Sequence, residues 1–262
     1  MSSDNQLVFS ARRFIGERDF DAAIELLSPL ADPTPNEMYA LADAYLLRAY
    51  DEESKQKSRA LYRKALKLYS SCYAECSNPP MACRAWVVCA YVLADEKELL
   101  AAKKAGLRVG QDVQLFFFHY LLLRDRQAPE NEQEKVVDEA LTIAPFDYNM
   151  LTAKASILMR RREWKRAWEC QHTAISYSDH VQGHVLFPRV LARTALLALV
   201  QGEDVQAFLE WGRELDWANA WVRLVDKVLA LRSRTQQVAK AKELLTGEAD
   251  FGDASIDVWL GS

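Results

Sequence analysis

Four stretches of this sequence are variations on one amphipathic helix, and their spacing limits the fold more than any other feature. They are Asp19–Leu30, Ser58–Leu68, Glu134–Pro145 and Glu163–Ile175. Each carries apolar residues three and four apart, the stripe that a helix buries on one side. Each also has a small or apolar residue late in its course. Placing that late position at Leu30, Ala65, Ala105, Ala140, Ala174 and Glu214 gives spacings of 35, 40, 35, 34 and 40 residues. A period near 34 with two insertions describes one small helical unit used repeatedly, and such a unit buries its apolar face only by stacking on its neighbours.

Further helix-like stretches lie between these: Leu7–Gly16, Glu37–Ala49, Ala82–Ala94, Val113–Arg124, Tyr148–Arg161, Leu186–Val200 and Ala220–Leu231. The chain therefore alternates a helix A with a helix B about six times and adds a last helix near Gln236–Leu245. Composition agrees: nine Gly and eight Pro in 262 residues are too few for the many tight turns of a β-sandwich or barrel. Asn78-Pro79-Pro80 breaks one helix from the next. Tyr50–Lys57 is expected to lengthen a loop or a helix, and Arg124–Gln133 to form a polar loop.

The order of residues within each unit resembles the tetratricopeptide repeat, over nearly the whole chain. In the unit from Tyr148 to Asp179 the matching residues are Leu151, Ala155 and Leu158 on helix A, Trp164 at the turn, and Ala167, Gln171 and Ala174 on helix B. The unit before it closes with Ala140, Leu141 and Pro145. The first contributes Phe20, Ala23, Leu27, Leu30 and Pro35, the second Ser58, Tyr62, Ala65 and Leu66, and the sixth Gly202, Ala207 and Trp211. Two departures stand out: Ala or a larger residue replaces the helix A glycine throughout, and Gln171 and Glu214 occupy places that are usually apolar. The resemblance implies an all-α fold, a right-handed superhelical solenoid of about six hairpins plus a C-terminal capping helix. It would span residues 1–246, with an acidic tail over 247–262. Small residues at Ala23, Ser58 and Ala167 would let the two helices of a hairpin cross closely, while Tyr62, Trp164 and Trp211 would fill the groove to the next.

Family likeness also implies a function: a non-catalytic scaffold, adaptor or chaperone whose concave face holds a segment of another protein. Helix A residues that tend to face such a groove correspond here to Asn149, Thr152, Ala153, Ser156, Met159 and Arg160, with Arg12 in the first repeat and Arg189 and Arg193 in the sixth. The clamp that some family members close on a chaperone's terminal carboxylate needs Lys and Asn pairs, which Thr152 and Ser156 do not supply; Arg189 and Arg193 match only its last part. The alternative is a helical-repeat module in RNA processing, supported by Arg160-Arg161-Arg162 with Lys165 and Arg166.

Charge disfavours that alternative. The net charge is −4, and Glu248, Asp250, Asp253 and Asp257 in the tail account for all of it, whereas nucleic-acid binders are usually basic. Catalytic motifs are poor. Asp250-Phe251-Gly252 copies a kinase tripeptide without the glycine loop or catalytic loop that gives it meaning. Cys72, Cys76 and Cys83 are read as buried thiols rather than zinc ligands, and His180 and His184 beside Asp179 as solvated or capping groups, so no metal or cofactor is expected. Phe116-Phe117-Phe118 turn by about 100° per residue on a helix, so they are not expected all to point inward. Five cysteines without a secretory signal, and no apolar run near the roughly 20 residues that span a bilayer, lead to the expectation of a reducing compartment, the cytoplasm, with the nucleus as the alternative.

Overall fold

The computed structural model describes residues 3–177, 187–216 and 220–247; over these there are fourteen helices and no strand. The chain divides into two compact units, Met1–Ala128 and Pro129–Ser262, with the boundary inside the polar Arg124–Gln133 segment.

In the first unit lie α1 (Ser3–Gly16), α2 (Phe20–Leu27), α3 (Pro35–Asp51), α4 (Lys55–Cys72), α5 (Pro79–Leu93), α6 (Glu96–Val109) and α7 (Gln114–Asp125). Helices adjacent in sequence pair as α1–α2, α3–α4 and α5–α6; in addition α1 packs on α3, α3 on α5 and α5 on α7. The odd-numbered helices thus share a layer, and among the described residues no two even-numbered helices of this unit pack to that extent.

Local chemistry fixes the helix starts. Thr34 and Glu37 form a reciprocal capping box on α3, Thr34 N–H donating to Glu37 Oε2 at 2.8 Å, which is why Glu37 is buried. Asp19, Asn78 and Asp95 cap α2, α5 and α6 through their side chains. Ser58 Oγ donates to the Ala49 carbonyl at 2.8 Å, so a small hydroxyl residue sits where α3 and α4 approach.

The repeat is also written in the turns. Arg18, Ala94, Gln127, Arg162 and Gly202 all have positive φ, between 55° and 84°. The residue after each donates its N–H five residues back, as in Asp95 to Ala90 at 2.8 Å and Glu163 to Leu158 at 2.9 Å. This is a Schellman ending shared by the five helices that stop at these residues. At Asp19, Asp95 and Glu163 the residue that closes it is also the N-cap of the next helix. Four of these five left-handed residues are not glycine, so the sequence hides the periodicity.

Several segments differ from expectation. Leu30 lies beyond α2, because Pro29 has no N–H to continue the ladder; the buried late residue is Leu27. Tyr50–Lys57, expected to lengthen a loop or a helix, takes the second course: most of it is helix, with only residues 52–54 between α3 and α4. The polar loop is shorter than expected: Glu130 and Glu132 already belong to the first turn of the next helix, α8 (Glu130–Ile143), where the helix dipole favours acids. Phe116, Phe117 and Phe118 are all buried. Phe118 meets Tyr91 of α5 with ring centroids 5.7 Å apart, and Lys103 of α6 lies over Phe116 at 3.8 Å, so α7 has no single outward side over these residues.

The second unit holds α8 (Glu130–Ile143), α9 (Tyr148–Arg160), α10 (Trp164–Ser176), α11 (Phe187–Gln201), α12 (Gln206–Asp216), α13 (Ala220–Leu229) and α14 (Arg234–Gly247). Hairpins α9–α10 and α11–α12 pair as neighbours; α8 packs on α9, α10 on α11, and both α13 and α14 on α11. Enclosed on several sides, α11 buries every residue from Val190 to Leu199. Its Ala195, Leu196 and Leu199 share a core with Leu158, Ala167, Leu209, Val225, Val228 and, from the last helix, Ala241 and Leu245. None of the described helices is long and apolar enough to cross a membrane.

Candidate functional site

The residues expected to face a groove fall into both units. Arg12 is exposed on α1, in the first. In the second, Asn149 and Arg160 are half-buried, while Thr152, Ser156, Met159 and Arg193 are interior. The side chain of Arg189, together with His180, His184, Asp179, Asp250-Phe251-Gly252 and the tail, lies outside the described residues.

Three of the named residues meet. Arg193 of α11 is fully buried; its guanidinium donates to Ser156 Oγ at 2.9 Å, to the Thr152 carbonyl at 3.2 Å and to Gln171 Oε1. α9 and α10 thus present three neutral oxygens to one cation of α11, a fork that lysine cannot copy. Gln171 therefore takes a usually apolar place because a buried arginine needs its oxygen. Thr152 Oγ1 and Gln171 Nε2 make no hydrogen bond of their own. Tyr148, beside this cluster, has its phenol pushed up by burial, with the Arg193 charge pulling the other way.

The basic run at the α9–α10 turn is largely matched by α8. Arg160 Nε bonds Glu130 Oε1 at 2.8 Å; Arg161 bonds Glu130 Oε2 at 3.1 Å and also Glu134; Lys154 bonds Glu134 and Asp138, each at 2.7 Å. Arg166 pairs with Glu163. Partial burial raises the Glu130 carboxyl, but hydrogen bonds from Arg160 and Arg161 outweigh it and the net direction is down. Glu134 is lowered chiefly by its hydrogen bond from Lys154.

The first unit has its own polar cluster, which the sequence did not single out. Asp43 of α3 accepts a 2.6 Å hydrogen bond from Tyr69 of α4, and the Tyr69 ring stands edge-on to Tyr39 at 6.1 Å. Desolvation pushes the Asp43 carboxyl up to about 6, against the Tyr69 hydrogen bond and the charge of Arg12. Arg12 itself bonds Ser77 Oγ at 3.2 Å. The signal available was an acid flanked at i−4 and i+3 by the apolar Tyr39 and Leu46, hence on an inward face.

Cys72, Cys76, Cys83 and Cys89 are buried thiols, and burial pushes both Cys72 and Cys83 up to about 12. Among the described residues no group of three or more His, Cys, Asp or Glu is placed to hold a metal ion. His119 is pushed down to about 4 by burial and by Lys103, whose Nζ is 3.4 Å from its Nδ1. No family model matches the chain, and no curated protein matches it in sequence.

Proposed function

We propose that the chain is a non-catalytic protein-interaction scaffold, built on tetratricopeptide-like hairpins, that holds an extended or helical segment of another protein as an adaptor or chaperone within a larger assembly. The observation that supports this reading best is the layering of the first unit. Its odd-numbered helices touch one another and its even-numbered helices do not pack comparably. Two layers of unequal width curve toward the narrower one, which gives repeat proteins their concave binding surface. The first helix of the odd-numbered layer exposes Phe9, 66% accessible, and Arg12 three residues on, an apolar and a charged anchor about one helical turn apart. Contact of this kind gives modest affinity, because ordering the incoming segment consumes part of the gain.

The test is affinity purification of tagged full-length protein from its native cells, beside the Phe9→Ser/Arg12→Glu variant, with circular dichroism confirming equal helicity. One stoichiometric protein, retained by the parent and lost from the variant, is the expected result. A partner held equally by both overturns the assignment to this layer. Nucleic acid in place of protein moves the RNA-processing reading into first position, and its binding must then weaken steeply with salt.

A further inference from the structure

Among the described residues, the largest set of cations on a helix without acids lies on α4. This helix carries six cations, Lys55, Lys57, Arg59, Arg63, Lys64 and Lys67, and no acid. At 100° per residue, Lys57, Arg63, Lys64 and Lys67 fall within an arc of about 120°, opposite the buried Tyr62, Ala65, Tyr69 and Cys72, and all four are exposed. Arg59 is anchored on the Val92 and Leu93 carbonyls, and Lys64 lies over the Tyr45 ring at 4.9 Å. Lys55, Lys57, Arg63 and Lys67 form no ion pair among the described residues.

Several other cations of this unit are ion-paired: Arg18 with Asp51, Arg48 with Asp21, Arg84 with Asp112, Arg126 with Glu96. On α4 the arrangement works against the helix. Lys55 and Lys57 crowd its positive end, Ser54 makes no side-chain cap, and the last turn, where cations are favoured, has none. Arg59, Arg63 and Lys67 repeat at four-residue spacing, which sets like charges beside one another. A helix that keeps such a pattern gains from an anion laid along it.

We propose that this ridge docks an acidic segment of a partner protein. Its exposed arc, with Gln56, Ala60 and Ser71 between the cations, has no aromatic ring on which a base could stack. It has no large apolar side chain to enter a bilayer either. From Lys57 to Lys67 the ridge runs about 15 Å, the length of three turns of a facing helix. The ridge is on an even-numbered helix, and its test leaves Phe9 and Arg12 untouched, so this inference and the scaffold layer fail separately.

The probe is a fluorescein-labelled peptide repeating Glu-Ala-Ala-Glu three times, read by anisotropy on the full-length protein at low and moderate salt. Its Gln-for-Glu analogue, a single-stranded RNA of similar length and vesicles with about 30% phosphatidylserine complete the set. The acidic peptide is expected to bind, and to weaken with salt. Lys57→Ala/Arg63→Ala/Lys67→Ala should lose about tenfold or more, whereas the equal charge removal Lys97→Ala/Lys104→Ala/Arg108→Ala on α6 should change affinity by about twofold or less. Equal losses in both variants, or preference for RNA or vesicles, overturn the proposal. So does binding that emerges only when Glu248, Asp250, Asp253 and Asp257 are all changed to their amides, which would give the ridge to the chain's own tail instead.

Discussion

Arg193 of α11 and Gln171 of α10 are both sealed from solvent, and the amide oxygen of the second accepts a hydrogen bond from the guanidinium of the first. Removing Arg193 leaves the Gln171 amide oxygen buried without its donor, and removing Gln171 takes one of the three oxygens that hold the buried guanidinium. Arg193→Met should cost about 3 kcal/mol and Gln171→Leu about 2 kcal/mol. The double variant should fall short of their sum by about 1 kcal/mol or more, because the two residues act as one network. Urea unfolding of the four proteins measures this; strict additivity contradicts the coupling.

Asp43 sets a pH dependence of unusual direction. Its folded value of about 6 lies above the ordinary 3.8, so the native state holds the proton more tightly than the unfolded chain does. The stability it contributes is full below about pH 4 and lost as pH rises through 6. At about 1.4 kcal/mol per unit, Asp43→Asn should remove up to about 3 kcal/mol of difference between pH 4 and pH 7. The amide oxygen can still accept from Tyr69, so the variant isolates ionisation. Unfolding midpoints across that range check it.

Glu130 and Glu134 act with the opposite sign. Their carboxyls sit below the ordinary 4.5. The stability they lend to the second unit is present above that value and is lost as pH falls beneath it. Glu134→Gln should cost about 1 kcal/mol at neutral pH, since Lys154 keeps Asp138 as a partner, and should blunt the acid loss. Acid titration followed through tryptophan fluorescence distinguishes the variant from its parent.

Positive φ at non-glycine residues is a reserve of stability. Arg162 is exposed at φ 62° in a Schellman turn, a position glycine occupies without steric cost. Arg162→Gly should raise stability by about 0.5–1 kcal/mol, and Gln127→Gly, at φ 55°, should act alike. Melting temperatures of the two variants and their combination test this; a fall would mean that the side chain matters more than the backbone.

Gly106 behaves in the contrary way. A β-carbon there would stand 2.5 Å from Leu115 Cδ1 and 3.2 Å from Cys83 Cβ, and both neighbours are fully buried. Gly106→Ala gains about 1 kcal/mol of helix propensity yet forces α6 away from α5 and α7. Net destabilisation of about 1–2 kcal/mol is expected by denaturant unfolding.

Periodicity places the helices to within a few residues: it gives Tyr148–Arg161 where the helix is Tyr148–Arg160, and Ala82–Ala94 where it is Pro79–Leu93. What escaped was whatever depends on contacts distant in sequence. Their places in the repeat put Thr152, Ser156 and Arg193 in a groove. They meet in the interior instead, because α9, α10 and α11 close around them. Arg160 and Arg161 read as a free basic cluster, since nothing local announces that α8 returns Glu130 and Glu134 to them. The cations of α4 are inconspicuous in the sequence because they are spread over about four turns, and only the folded helix gathers them on one side. Phe116 to Phe118 break the amphipathic rule for a related reason: a helix contacted from more than one direction has no polar side to show.

That last helix bears on synthesis. From Leu115 to Leu123 every residue but His119 is buried, so α7 is an adhesive stretch until it is covered. Its neighbours in the first unit, α5 and α6, precede it in the chain and leave the ribosome before it. The surface that receives α7 is thus already made when α7 emerges, and order of translation protects it from aggregation. A circular permutant opened between α6 and α7 would reverse that order, with α7 waiting in the open for partners not yet translated.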